Sequence, residues 1–389
     1  MRVLYINHTI LKSGAAISLG TLITSLNTAV TPCFLLRKGS TVDEILGATG
    51  SRLKFHARWV AFYQTTIYGK PASLFCFFSQ IAKTPLAIGR AALISRKWRC
   101  DVVHINETTL PADAIGAALA GRPVIIHART ALNRNHFERG LLSFLTTFSK
   151  IGFVAIDDEV KATLPSRCRA KCTVIHNPVQ LGPPPTSESI ASKRKSWGLN
   201  AEHVIVGQLG SLHREKGVWD ILAIARLLCP VHPNLRFVLV GDTSPQAGEG
   251  PALKKFIESQ PLFGKVILPG YDTDLAATYG SIDVALCLFG AGLGGVGRAA
   301  YEAAIAGRPL VATLPGARTS KTLIHEKHGL LFDPSDLAGV REAIERLVVS
   351  PSLRDQLGHS AQSEIGKRHD PAIVAEKMLA LYKETLGLS

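Results

Sequence analysis

The 389-residue chain is short of several features that would assign it quickly. It has no uncharged apolar stretch of roughly 18 residues, the length a helix needs to cross a bilayer, so no spanning helix is expected. The opening MRVLYINHT breaks into polar residues after a short apolar run, unlike the apolar core of a secretory signal. Its seven cysteines are an odd, scattered set: Cys168 and Cys172 form the one close pair, with His176 nearby, and no fourth ligand completes a zinc pattern. Reduced thiols in a cytoplasmic protein are the expectation. No fixed-period repeat and no low-complexity tract is present. The N-terminal loop lacks G-x-G-x-x-G and no acid follows at a suitable distance, which argues against a dinucleotide oxidoreductase.

Acidic residues are missing from one long segment: none lies between Glu44 and Asp101. Residues 51–100 hold nine Lys or Arg, among them Arg52, Lys54, Arg58, Lys70, Arg96, Lys97 and Arg99, and nine aromatics, including Phe55, Trp59, Phe62, Tyr63, Phe75, Phe77, Phe78 and Trp98. This mixture suits an element lying on an anionic membrane surface, with rings at headgroup level. A basic face for a phosphorylated acceptor, or one serving only solubility, competes with that reading, and some of these rings must be ordinary core. The net charge of +14 agrees with an anionic partner, and no nucleic-acid motif accompanies it, so nucleic acid is not expected.

What is abundant is apolar: 46% hydrophobic against 19% charged residues describes a well-buried globular chain, long enough for two domains. Short β-branched runs alternate with helical patterns, the mark of βαβ units and parallel sheets. In the first half the strands are expected at Val3–Ile6, Val102–Ile105, Val124–His127, Phe153–Ile156 and Thr173–Ile175. Asn177-Pro178 and Gly182-Pro183-Pro184-Pro185, followed by a polar stretch to Lys195, read as a linker. A second series follows at Val204–Gln208, Arg236–Val240, Lys265–Leu268, Asp283–Leu288, Pro309–Thr313 and Gly329–Phe332. The expected fold is α/β, with two Rossmann-like doubly wound domains facing a cleft. The boundaries are 1–180, a linker at 181–200, 201–370, and a C-terminal helix at 371–389. Ligands of such sheets bind beyond the carboxyl ends of the strands.

The candidate ligand segment is FGAGLGGVGRAAYEAAIAGRP, which follows the Asp283–Leu288 strand with five glycines before a helix near Arg298. Glycines let a ligand approach the backbone, and the helix start offers free N–H groups to a diphosphate. Glu302, one turn into an otherwise small and apolar helix, is either a solvated side chain or a carboxylate placed to accept the hydroxyls of a ribose.

Here the chain resembles the GT-B retaining glycosyltransferases of family 4, the glycosyl transferases group 1. YEAAIAGRPLVAT resembles that family's EAMACGKPVVAT segment, GQLGSLHREKGVWDILAIARLL its G-R-L-x-x-x-KG helix entry, and KHGLLFDPSD its NGLLVPPGD. LPGYDTDLAATYGSIDVALCL is similar to the strand, base-side loop and helix that precede the donor segment. More loosely, SGAAISLGTLITSL resembles the GGAE-type loop, placing Gly14 and Ala15 at the acceptor side, and TVIHNPV the interdomain VIPNGV. The resemblance implies the GT-B fold with its C-terminal helix returning to the first domain, a nucleotide-sugar donor, and a saccharide or lipid-linked acceptor. It implies Glu302 on the donor ribose and Lys216 on the diphosphate. The backbone of Gly294, Gly295, Val296 and Gly297 would face the donor sugar and phosphates, with Arg298 at the helix start. Gly270 and Tyr271 would lie beside the base. His127, with Arg129 a neighbour, would approach the sugar from the first domain.

Three positions depart from the family pattern. Gly294 stands where the first acid of E-x7-E belongs. Ser211 occupies the place of the arginine of the diphosphate pair, with Arg214 near enough in sequence to substitute. PGARTSK replaces the family's GG-x-P-E turn and lacks its acid. The expected reaction is sugar transfer with retention, catalysed by Lys216, Arg214 and His127 at the inner face of the membrane. No cofactor or metal is expected, because the one D-x-D spacing, Asp272-x-Asp274, falls in the base-side loop. A non-catalytic glycosyltransferase-like subunit is the alternative that these departures favour.

Overall fold

The computed structural model describes residues 1–9, 13–40, 44, 54–58, 60–61, 63, 66–67, 70–71, 74–132, 136–244, 249–289 and 297–388. The chain divides into two compact units, Met1–Val179 with His369–Ser389, and Gln180–Arg368.

The first unit runs β1 (Arg2–Asn7), α1 (Gly14–Leu26), β2 (Thr31–Arg37), β3 (Lys54–Ala57), α2 (Leu74–Lys97), β4 (Val102–Ile105), α3 (Pro111–Leu119), β5 (Val124–Ala128), α4 (His136–Leu145), β6 (Ile151–Ala155), α5 (Asp158–Thr163), α6 (Ser166–Ala170) and β7 (Cys172–Val174). The strands form one parallel sheet in the order β3-β2-β1-β4-β5-β6-β7. β4 and β5 are buried at every residue, because helices cover both faces and the strands read as continuous apolar runs. The order reverses between β1 and β4, which makes their carboxyl ends a topological switch point.

On one face of that sheet lies the C-terminal helix (Pro371–Thr385). Asp370 caps it by accepting from the amides of Ala372 and Ile373, and Pro371 sits at its first turn, where no N–H is needed. Val374, Met378 and Tyr382, each four residues apart, share a core with Leu19, Leu22 and Ile23 of α1 and with Val3 and Tyr5 of β1. Burying each such apolar side chain contributes about 2 kcal/mol. The last residues of the chain therefore belong to the first unit.

Helix α2 packs one side on α3, where Gly116 meets Ile88 so closely that a Cβ would stand 2.2 Å from the Ile88 carbonyl oxygen. Ala87, Ala91 and Ile94 of α2 are buried. Phe75, Phe78, Ala82, Leu86, Gly89 and Leu93 repeat at the helical period and are exposed, Phe75 to 84% and Leu93 to 66%. Arg96, Lys97 and Arg99 follow this stripe, also exposed. The basic aromatic segment is thus not uniform. Trp98 packs against the core, Tyr63 is buried, and the Arg90 guanidinium pairs with buried Asp113 at 2.9 Å. Arg52, Trp59 and Phe62 lie outside the described residues.

The second unit runs α7 (Ser187–Ser196), β8 (Val204–Leu209), α8 (Val218–Leu228), β9 (Leu235–Val240), α9 (Gly250–Glu258), β10 (Val266–Gly270), α10 (Leu275–Ser281), β11 (Val284–Cys287), α11 (Arg298–Ile305), β12 (Leu310–Thr313), β13 (Leu330–Phe332), α12 (Leu337–Val349) and α13 (Pro351–His369). Its parallel sheet has the order β10-β9-β8-β11-β12-β13, the doubly wound order with its switch point between β8 and β11.

The expectation of a linker over 181–200 is corrected. Residues 187–196 form helix α7, capped by the Thr186 hydroxyl, and belong to the second unit. Arg194 of α7 reaches both carboxylate oxygens of Asp283 at 3.0 Å, and Asp283 accepts the Ile205 amide at 2.7 Å. Lys193 pairs with Asp272 at 2.7 Å. The polar composition that resembled a linker is the outer face of a helix held down by ion pairs.

Candidate functional site

In the second unit the strand ends β8 and β11 define the site. β8 is followed by Gly210, Ser211 and a 3-10 turn at Arg214–Lys216 that ends on Gly217. Gly217 has φ +66°, and a Cβ there would stand 2.6 Å from the Leu288 Cβ, so only glycine allows the turn to lie this close to the end of β11. The Lys216 ammonium consequently sits over the Phe289 ring, 4.3 Å from its centroid. Burial lowers its pKa from the ordinary 10.5, against the charge of Glu215 and the nearby Cys287. Gln208, buried on β8, donates its amide to the Lys216 carbonyl at 3.0 Å.

Phe289 is fixed by Thr313, whose hydroxyl oxygen accepts the Phe289 amide at 2.6 Å. Gly297, which caps α11, also lies against this ring, leaving no room there for a Cβ. Gly294, Gly295 and Val296 lie outside the described residues. On α11, Arg298 donates to Glu302 Oε1 at 2.7 Å, an i,i+4 pair with side chains 10% and 9% exposed. The Tyr279 hydroxyl lies 3.2 Å from Glu302 Oε2 and 3.1 Å from the Ala299 carbonyl. Burial and the Glu302 charge hold the Tyr279 phenol far above its usual range, so it keeps its proton and can donate it to Glu302. The Cys287 thiol, pushed up to about 12 by burial, feels Lys216 and Glu302 with opposite signs, which places all three in one neighbourhood.

Arg214, Ser211, Gly270 and Tyr271 are the remaining sequence candidates of this unit. Arg214 is held elsewhere: its amide donates to Glu249 Oε1 at 3.1 Å and its guanidinium lies over Trp219, 5.4 Å from the ring. Trp219 donates to the same carboxylate. Ser211 is exposed on the loop, as is Tyr271 beside Gly270, whose φ of +92° ends β10. The Asp272-x-Asp274 carboxylates have partners within the second unit. Despite its partial desolvation, Lys193 and Thr278 hold the Asp272 carboxyl below its usual range, and Asp274 caps α10 through the Ala277 amide. Among the described residues no group of three or more His, Cys, Asp or Glu is placed to hold a metal ion.

In the first unit the switch point is polar and buried. Asn106 beyond β4 donates to Asn7 Oδ1 at the end of β1, at 3.1 Å. Arg129 donates to Asn106 Oδ1 at 2.8 Å and to Asn177. His127 near the end of β5 is 1% exposed; its Nδ1 lies 3.2 Å from His104 Nε2, and its Nε2 has no hydrogen-bond partner among the described residues. Burial, then the Arg129 charge, puts the His127 pKa well below 6.5, and the same causes put His104 at about 3, so both imidazoles are neutral near pH 7. Gly14 and Ala15 open α1 just after its Ser13 cap, with Gly14 exposed. Tyr279, Phe289, His104 and the asparagine set were missed in the sequence. The available signal was that a buried Tyr or Asn at a strand end needs a polar partner.

Two parallel Rossmann-like sheets with these strand orders, covered by helices, define the GT-B fold. Along its full length the chain is similar to Alr3699/HepE of Anabaena, whose structure is known in complex with UDP: TM-score 0.79 at 18% identity, over 99% of this chain and 100% of that one. Residues 189–364 match the family model of the glycosyl transferases group 1. Among curated proteins, the chain is 21% identical over 299 residues to the capsular polysaccharide biosynthesis glycosyltransferase CapM of Staphylococcus aureus, covering 72% of this chain and 77% of that one. It is 26% identical over 334 residues to the glycogen synthase of Mycobacterium tuberculosis, covering 79% and 77%. The family match lies within the second unit, while the likeness in fold runs the whole length of the chain.

Proposed function

We propose that the chain transfers a sugar, with retention, from a nucleoside diphosphate donor to a saccharide or lipid-linked acceptor in cell-surface polysaccharide or glycolipid synthesis. The observation that carries this reading is the convergence of Lys216, the Gly297–Arg298 helix start and Glu302 at the β8/β11 switch point. Bond cleavage to the sugar leaves charge on the diphosphate. Lys216, held over Phe289 in a desolvated position, is the group suited to receive it, with the α11 amides beside it. Glu302 would take the donor ribose hydroxyls, with Arg298 and Tyr279 orienting its carboxylate. No metal enters the proposed reaction, because the Asp272-x-Asp274 carboxylates already serve Lys193, Thr278 and the α10 cap. Activity that vanishes in excess chelator and returns with a divalent ion would contradict that part.

The transfer reading is tested by sugar release or transfer from UDP-, GDP- and ADP-sugars with the purified chain. It predicts turnover that Glu302→Ala abolishes. The second reading, a nucleotide-sugar-binding subunit without activity, is favoured by Arg214 lying on Trp219 and Glu249 rather than near Lys216. Binding without turnover would establish it.

We further propose that the chain works on the cytoplasmic face of a membrane and rests on anionic lipid through α2. The support is the exposed apolar stripe Phe75–Leu93 ending in Arg96, Lys97 and Arg99, with no acid anywhere on the helix. No described helix is long and apolar enough to cross a membrane. The chain is expected to sediment with phosphatidylglycerol vesicles at low salt, and Phe75→Ser with Leu93→Ser to release it. Failure to bind such vesicles, or self-association through the same stripe, would overturn the docking.

A further inference from the structure

Lys216 rides on a short turn that its own backbone holds only lightly. The Lys216 amide donates to the His213 carbonyl and the Gly217 amide to the Arg214 carbonyl, both at 2.9 Å. A 3-10 turn closed by two such bonds is a weak element, and its left-handed Gly217 leads straight into α8. The turn is therefore tied to its surroundings. Gln208 of β8 donates to the Lys216 carbonyl, and Gly217 lies against Leu288. A third tie is the Glu249 carboxylate.

Glu249 accepts on each of its two oxygens. Oε1 lies 3.1 Å from the amide of Arg214, the first residue of the turn, and Oε2 takes the indole N–H of Trp219, the second residue of α8. The two donors, five residues apart, bracket Lys216 and Gly217. The Trp219 ring in turn meets Phe256 of α9 edge-on, with centroids 5.4 Å apart. Glu249 immediately precedes α9, and Gly250 fixes where it stands: a Cβ on Gly250 would lie 2.3 Å from the Thr243 carbonyl oxygen. The segment after β9 thus ties the segment after β8. A carboxylate only accepts, so it serves two N–H donors at once, and its charge strengthens both bonds. An amide in its place would turn an NH2 group towards one of them.

We infer that Glu249 is a positioning residue that clamps the Arg214–Lys216 turn to the start of α8 and so keeps the Lys216 ammonium over the Phe289 ring. Its value to a leaving diphosphate rests on the transfer reading above; the clamp does not. In this arrangement the backbone amide of Arg214 holds the turn. Its exposed guanidinium packs on Trp219, with Nε 3.9 Å from Glu249 Oε1.

The Lys216 side chain reports the clamp directly, because protons held over a ring face are shielded by its ring current. In a 13C–1H correlation spectrum of the full-length chain with 13Cε-labelled lysine, Lys216 is assigned with Lys216→Arg. Its wild-type signal is expected well upfield of the exposed lysines. Glu249→Ala is expected to move it to the exposed-lysine position, and the isosteric Glu249→Gln to move it part of the way. Asp336→Ala, which removes the cap of α12 elsewhere in the second unit, is expected to leave it in place. With whichever of UDP-glucose, GDP-mannose or ADP-glucose supports turnover, Glu249→Ala is expected to lower kcat about tenfold and leave donor KM within about twofold. A wild-type Lys216 signal among the exposed lysines would overturn the inference. So would Glu249 variants that keep the ring shift, or that lose it with kcat unchanged. Glu249→Gln decides alone if Glu249→Ala does not fold. A wild-type protein that turns over none of the donors would remove the transfer reading, and the spectra would still decide the clamp.

Discussion

The two units share a sheet order around their switch points and furnish them with opposite chemistry. At the β8/β11 ends of the second unit stand formal charges: Lys216 over Phe289, and Arg298 paired to Glu302 at 2.7 Å. At the β1/β4 ends of the first unit the groups are neutral amides and imidazoles, with the Arg129 cation bound to Asn106 and Asn177. The difference teaches that topology supplies only the place where strands end and backbone opens; the side chains there decide what is recognised. A cation beside a glycine-rich helix start suits a diphosphate. Buried neutral donors suit the hydroxyl groups of a sugar, which carry no charge to attract.

The comparison breaks most sharply at Lys216. Replacing it by alanine is expected to lower kcat by about 10²- to 10³-fold, the usual cost of one group that stabilises developing charge. Donor KM and circular dichroism should stay near wild type. A fall of less than about threefold would show that the second unit's charges do not serve the reaction.

The neutral character of the first unit is sharpened by pH. His104 and His127 have folded pKa values below the ordinary 6.5, so the unfolded chain takes up protons that the folded one refuses. That stability is fully present above pH 6.5 and is lost as pH falls through the folded pKa values, about 3 for His104. The slope is roughly 1.4 kcal/mol per pH unit for each histidine. Urea unfolding at pH 7 and pH 5 measures it, and His104→Gln should flatten the slope. An unchanged midpoint across that range would mean the imidazoles are hydrated or already charged.

The smallest effect is expected at Tyr279. Tyr279→Phe removes one donor to Glu302 Oε2 and should cost about 1 kcal/mol of stability, with a modest rise in donor KM. The same change would leave the first unit's pH dependence untouched.

The second unit was also the more legible in the sequence. Its six strands were all expected close to where they lie, because each is a short, largely apolar run set off by turns and helices. Glu302 stood out because its charge interrupts an apolar pattern and Gly297 as part of a glycine-rich turn, whereas Lys216 was marked by the resemblance of its segment to the family's helix entry. The first unit hid more. β2 carries Pro32 near its start and β3 is only Lys-Phe-His-Ala at the sheet edge, so neither shows a strand's period. Helix α7 was misread because ion pairs to Asp272 and Asp283, partners about 80 to 90 residues away, hold its polar face. Tyr382 and His104, 278 residues apart, meet only once the C-terminal helix has folded back onto the first sheet. Local pattern carries no trace of such a pairing.

The account depends on the second unit holding a nucleoside diphosphate at the β8/β11 switch point. Thermal unfolding of the full-length chain with UDP-, GDP- and ADP-sugars tests this most directly, beside the Glu302→Ala protein. At a hundredfold excess over Kd, a bound donor should add about 2.7 kcal/mol of stability. The account predicts a raised Tm with at least one of these donors and a much smaller shift in Glu302→Ala. No shift with any of them, or an equal shift in both proteins, would contradict it.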